Sequence, residues 1–154
     1  MDVDFASVRL RFAQPLATAY GELVERELLT IRIKGADEVV GWGEAAPLEP
    51  YDGVSLAAVR GALEAYEPIL RGGDGASGAE LLDACRAASD LPQALAAVDL
   101  ALWDLAGNRE RRPVCALLSD GAADAVRVNA TIPAVDRAGA ATQAAQAARD
   151  GYTC

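Results

Sequence analysis

Hydrophobic and polar residues alternate along the first third of the chain. Val8, Leu10 and Phe12 alternate with Arg9 and Arg11, the period-two pattern of a half-buried strand. Leu29, Ile31 and Ile33 alternate with Thr30, Arg32 and Lys34 in a second strand. The polar turn at residues 35–38 leads back into residues 39–44, which predicts a hairpin. Between the first two strands lies a long stretch, residues 14–26, containing Pro15 and Gly21. A connection of that length inside a compact sheet is unusual and is often functional. Residues 45–53 (AAPLEPYDG) form a second loop rich in Pro and Gly.

The pattern then changes to a helical period. Ser55 can cap a helix reaching about Leu70, with Leu56, Val59, Leu63 and Tyr66 or Ile69 on its apolar side. Residues 71–75 break it. Ser77 and Glu80 have the spacing of a capping box, which predicts a short helix through Ala88. A third helix starts near Asp90, with Pro92 in its first turn, and runs to about Asn108. Leu95, Val98, Leu100, Leu102, Trp103 and Leu105 make it apolar on nearly every side. Such a helix is expected to be buried between layers. Asp99 and Asp104 interrupt it, and pairing with an arginine such as Arg109 or Arg112 is the expectation for both.

After Pro113 comes a short turn at residues 114–119, then a polar linker at 120–124. Residues 126–132 (VRVNATI) read as a strand and residues 134–150 as an Ala-rich helix closed by Gly151. Tyr152, Thr153 and Cys154 read as the start of another strand. The final segment is thus a βα unit, expected to be the beginning of a larger parallel fold. The domain boundary falls in the linker, giving residues 1–120 and 121–154.

Composition narrows the function. Of 154 residues, 52% are hydrophobic, too many for disorder, and no apolar run approaches the ~20 residues of a membrane span. No basic segment followed by a long apolar core marks a secretory signal. The net charge of −9 disfavours nucleic acid and anionic membranes as partners. Three widely spaced cysteines, Cys85, Cys115 and Cys154, form neither a zinc motif nor a disulfide framework, which points to a reducing cytoplasm. The chain has no histidine, which removes Ser-His-Asp and Cys-His catalysis and His-ligated metal sites. Lys34 is the only lysine and reads as a solvated turn residue. Glu44 has no acidic neighbour at ligand spacing, so it reads as a loop cap or an arginine partner rather than a Mg²⁺ ligand.

Two motifs carry a family resemblance. Gly41-Trp42-Gly43-Glu44-Ala45 closes the sheet, and residues 96–107 read AAVDLALWDLAG. With Pro113, Leu117-Leu118, Gly121 and Val128-Asn129-Ala130-Thr131-Ile132 following in order, the chain resembles the enolase superfamily. The subgroup it looks most like is the muconate-lactonizing one, and the resemblance covers essentially the whole chain. It implies an α+β fold, an antiparallel three-stranded sheet plus helices forming an enolase-like capping domain. After it would come the first βα unit of a truncated TIM-type (β/α)₇β barrel.

In that family a divalent ion, usually Mg²⁺, is held by three acidic residues at the ends of the third to fifth barrel strands. A lysine removes the α-proton of a carboxylate substrate, and the metal stabilises the resulting enediolate. The catalytic lysines stand in a Lys-x-Lys motif on the second barrel strand and on the sixth. The resemblance therefore assigns this chain no catalytic residue and no metal ligand, and Lys34 matches neither lysine. A reading frame continuing past Cys154 is expected to supply Lys-x-Lys within a few residues.

What the resemblance leaves in this chain is substrate contact. Two capping-domain loops close over the barrel mouth in such enzymes, and by position they are residues 14–26 and 45–53. Leu16, Thr18, Tyr20, Leu48 and Tyr51 are the candidate contacts there. Both tyrosines offer an apolar face and a hydroxyl, and ordinary loop packing accounts for them equally well. Asn129 and Thr131 are candidates at the end of the first barrel strand, where barrel enzymes place their chemistry. The implied partner is a small-molecule carboxylate, with a complete enzyme that is a homo-oligomer. Residues 128–135 (VNATIPAV) look most like o-succinylbenzoate synthases, with dipeptide epimerases next and cycloisomerases and N-acylamino-acid racemases in the same subgroup. A stand-alone, non-catalytic capping module that binds a ligand or protein is the competing reading.

Overall fold

The computed structural model describes residues 1–134 and 136–153. Three strands, β1 (Asp2–Thr18), β2 (Gly21–Lys34) and β3 (Val40–Ala45), form one sheet in the order β1-β2-β3. β2 and β3 pair antiparallel, with Leu29 opposite Ala45, Ile31 opposite Gly43 and Ile33 opposite Gly41. These are the residues of one face. Leu29, Ile31 and Ile33 are fully buried there, as their alternation with Thr30, Arg32 and Lys34 requires.

Residues 14–26 are not a loop. β1 and β2 run on as a hairpin whose turn is only Ala19 and Tyr20. The Thr18 hydroxyl accepts the Tyr20 N–H at 3.2 Å and donates to the Gly21 carbonyl at 2.6 Å, and Gly21 takes φ +119°. A serine- or threonine-type turn plus a glycine able to adopt that angle reverses the chain in two residues.

The helices cover the apolar face. α1 (Glu49–Asp52) is a single turn in the second Pro/Gly-rich segment. α2 (Leu56–Arg71) starts at Ser55, whose hydroxyl accepts the Ala58 N–H, and it buries Val59, Ala62, Leu63, Tyr66 and Leu70. α3 (Gly78–Ala88) carries the expected capping box between Ser77 and Glu80. α4 (Pro92–Glu110) buries Ala94, Leu95, Ala97, Val98, Ala101, Leu105 and Gly107. α5 (Val114–Leu118) and α6 (Arg137–Arg149) follow, and α6 is capped by Asp136 through the Gly139 N–H.

Three expectations are corrected. α4 is not buried on every side: it packs against β3, α2 and α3, but Leu100 is 53% exposed and Trp103 37%. Asp104 is not paired with an arginine. It accepts the Trp42 N–H at 2.8 Å, while Arg109 goes to Asp37 and Arg112 to Glu110. Residues 126–132 form no strand. A strand exists only within a ladder, and among the described residues the ladder ends at β3. The predicted βα unit is therefore present as its helix alone. Residues 152–153 are not in a strand either, and Cys154 lies outside the described residues.

The chain clusters into two compact units. One holds residues 1–10 and 26–122, and the other residues 11–25 and 123–154. The first contains a single apolar core in which Leu29, Ile31 and Ile33 of the sheet meet Val59, Leu63, Tyr66, Val98, Ala101 and Leu105 of the helices. Charge pairs pin its N-terminus: the Met1 ammonium donates to the Arg71 carbonyl at 2.9 Å, and Arg71 pairs with Asp2 at 2.8 Å.

Candidate functional site

The seven candidate contact residues divide between the two units. Leu16, Thr18 and Tyr20 at the hairpin tip belong with Asn129 and Thr131 in the second unit, and Leu48 and Tyr51 belong to the first.

At the hairpin tip, the turn described above projects Tyr20, which is 62% exposed, while Leu16 and Thr18 are half-buried. Thr18 is engaged on both sides by its own turn, so its hydroxyl holds the tip rather than standing open. Asn129 and Thr131 line one cavity of about 390 Å³ with Gln143, Gln146 and Asp150 of the α6 region. Ala130 and Ile132 line the same cavity. Strict strand alternation would have put these pairs on opposite faces, and without a ladder nothing imposes it.

The second turn is built more tightly. Leu48 precedes the single turn α1, and Tyr51 and Asp52 both donate their N–H groups to its carbonyl, at 2.7 and 2.9 Å. Gly53 closes the turn in the left-handed region at φ +72°. The Asp52 carboxylate accepts from the Leu48 N–H at 3.1 Å, the Val54 N–H at 2.9 Å and the Gln93 amide at 3.3 Å. Those backbone donors, Leu48 first and then Val54, hold the Asp52 carboxyl below the usual carboxylate range. Tyr51 is 72% exposed and Leu48 half-buried.

None of this supplies a base or a metal site. Lys34 is tied to Glu38 at 2.6 Å. Among the described residues, no three Cys, Asp or Glu side chains gather as a cation site. Glu44, Asp99 and Asp104 do line one open groove of about 800 Å³ beside Trp42 and Trp103, but Asp104 is spent on a backbone amide. The residues present therefore do not fit the divalent ion of the implied family. Among the described residues, no helix is long and apolar enough to cross a membrane.

The sequence reading missed Arg26 and Gln93. Arg26 sat inside the supposed loop and in fact donates from β2 to the carbonyls of Ala46 and Pro47. Arg26 lies 20 and 21 residues from Ala46 and Pro47, a separation that sequence spacing alone does not connect.

A family profile described as the mandelate racemase / muconate lactonizing enzyme N-terminal domain matches residues 1–119. A hydrophobic dipeptide epimerase from Flavobacteria bacterium (strain MS024-2A) is 35% identical over 118 residues, covering 77% of this chain and 33% of that protein. An L-Lys-D/L-Arg epimerase from Desulforapulum autotrophicum is 33% identical over 111 residues, covering 71% of this chain and 31% of that protein. The chain thus spans about a third of the length of these curated relatives. Among solved structures, the substrate-liganded L-Ala-D/L-Glu epimerase from Bacillus subtilis superposes with a TM-score of 0.85 at 24% identity, covering 99% of this chain and 43% of that one. The dipeptide epimerase from Enterococcus faecalis V583, complexed with Mg and L-Leu-L-Tyr, gives 0.83 at 23%, covering 97% and 42%. The three-stranded sheet and its helices are the N-terminal capping domain of the enolase-superfamily fold, and the chain belongs to the mandelate racemase / muconate lactonizing enzyme family.

Proposed function

We propose that this chain is the N-terminal, substrate-contacting part of a Mg²⁺-dependent enzyme that removes the α-proton of a carboxylate substrate, and that the substrate class is a dipeptide. The observation that carries the reading is the 35% identity to a hydrophobic dipeptide epimerase across the capping domain. It favours the dipeptide epimerases over the o-succinylbenzoate synthases that residues 128–135 resemble, since the curated relatives named above are epimerases. The role of this chain is binding and water exclusion. Tyr20 and Tyr51 present exposed aromatic faces, suited to an apolar side chain of the substrate. Leu16 and Leu48 add half-buried apolar surface, Thr18 shapes the hairpin tip, and Asn129 and Thr131 offer polar contacts from their cavity. This reading assigns the chain no residue that takes the α-proton; its one lysine, Lys34, is paired with Glu38.

The test is α-proton exchange in deuterated water, followed by NMR on L-Leu-L-Tyr with Mg²⁺. Residues 1–154 alone are expected to give none, and the longer polypeptide containing them is expected to exchange and invert one α-carbon. Exchange by residues 1–154 alone overturns the assignment of a purely binding role. A longer polypeptide inert toward a panel of apolar and charged dipeptides overturns the substrate class.

A further inference from the structure

We propose that Arg26 and Asp52 are positioning residues that together hold the Leu48–Tyr51 turn in one conformation. The inference rests on the reading of that turn as a substrate-contact segment, and it adds residues that touch no substrate themselves.

A single helical turn does not hold itself. Nucleating one fixes several dihedral angles for one or two hydrogen bonds and is unfavourable in isolation. α1 is four residues long and buries no side chain, so neither length nor a core contact stabilises it. Polar clamps do so from both ends. At the entry, Arg26 is half-buried on β2, and its Nη2 alone donates to two successive carbonyls, Ala46 and Pro47, the latter at 3.1 Å. The two N–H bonds of that nitrogen are held in the guanidinium plane, whereas a lysine ammonium rotates freely about its last bond.

At the exit, one Asp52 oxygen takes the Val54 N–H at 2.9 Å and the other takes the Leu48 N–H at 3.1 Å. A single carboxylate thus joins the residues on either side of α1. Gln93 then ties that carboxylate to the first turn of α4, next to Ala94 and Leu95, which lie in the core. The turn is therefore referenced to the sheet through Arg26 and to the core helix through Asp52. Its consequence is preorganisation: a contact wall already ordered loses less conformational freedom when substrate arrives.

The test compares Asp52→Ala, Asp52→Asn and Arg26→Gln with the parent chain by amide hydrogen exchange. The expected result is exchange at Leu48, Tyr51 and Val54 faster by about tenfold or more in Asp52→Ala and Arg26→Gln, with Val98 and Ala101 of α4 within about twofold. Asp52→Asn keeps one acceptor oxygen and should fall between. Unchanged exchange in the turn overturns the proposal, and so does equal acceleration at Val98 and Ala101, which would mark general loosening. In the longer polypeptide, both clamp variants should raise the dipeptide KM about fivefold or more while kcat stays within about twofold. A loosened turn with unchanged KM overturns the positioning role. Absence of turnover by the parent enzyme counts against the functional reading alone, because the exchange arm decides the clamp without substrate.

Discussion

Replacing Gly43 by alanine should destabilise this chain far more than a methyl group ordinarily does. A Cβ at Gly43 would stand 1.9 Å from the Ala97 carbonyl oxygen and 2.9 Å from the Ala101 nitrogen. Both obstacles are backbone of α4, so no side chain can swing aside. The helix must recede by roughly 1 Å, and the gap would open along Ala97, Val98, Ala101 and Leu105, all buried against the sheet. Overpacking costs about 1–3 kcal/mol where side chains can adjust, and a rigid obstacle places Gly43→Ala at about 2–4 kcal/mol. For a chain of this size that is a melting-point loss of roughly 4–16 °C. The control is Gly61→Ala on α2, where an added Cβ meets open space. There alanine should stabilise by about 0.5–1 kcal/mol through helix propensity. Thermal and urea unfolding, followed by far-ultraviolet circular dichroism, measure both. Gly43→Ala within about 0.5 kcal/mol of the parent would refute the close-approach argument, because measured effects of that size are ordinary surface noise.

Other outcomes follow from single contacts. Tyr66→Phe removes a buried hydroxyl that donates to the Ser89 carbonyl, and it should cost about 1–2 kcal/mol in urea unfolding by leaving that acceptor unpaired. Acid should unfold the chain in a defined window. Arg71 beside Asp2, Arg109 beside Asp37, the Leu48 and Val54 amides on Asp52, and Ser77 on Glu80 all hold these carboxyls below their ordinary values. Depressed folded-state values mean stabilisation present above the unfolded pKa and lost as pH falls through the folded one. The melting temperature should therefore hold from neutrality to about pH 5 and drop below about pH 4. Maleimide labelling read by peptide mass should modify exposed Cys115 well before Cys85, whose thiol is buried and pushed up to about 11.

Local chemistry made α2, α3 and α4 legible. Ser55, the Ser77–Glu80 box and Pro92 each mark a helix start by the group they satisfy or lack. The hairpin tip was illegible for a related reason. Between Ala13 and Glu27 every side chain is exposed or only half-buried, so no alternation is enforced and Pro15 and Gly21 read as loop punctuation. Residues 126–132 show the converse: they alternate acceptably, but pairing depends on a neighbour that local pattern does not supply. In the candidate site, the residue types of the turn were visible, while its clamps were not. Arg26 and Gln93 reach it across long sequence separations.

The two motifs that carried the family resemblance are one structural device. Along β3, residues of one face recur every two positions, about 6.8 Å apart. Along α4, one face recurs every four positions, about 6 Å apart. The near-match lets the helix lie against the edge strand in register. Gly43 meets Ala97 and Ala101, and Gly41 meets Ala101 and Leu105. In the same register Asp104 accepts the Trp42 N–H at 2.8 Å, and four residues on Asn108 donates to the Val40 carbonyl at 2.9 Å. The glycines permit the approach, the alanines keep the helix surface low, and the two polar residues satisfy edge groups that would otherwise invite another strand. Each motif explains residues in the other: the Asp104 carboxylate meets the N–H that β3 turns outward at Trp42. That is why the Asp104 carboxylate belongs to the scaffold, and why the proposed substrate contacts are sought in the turns of the domain rather than along this helix.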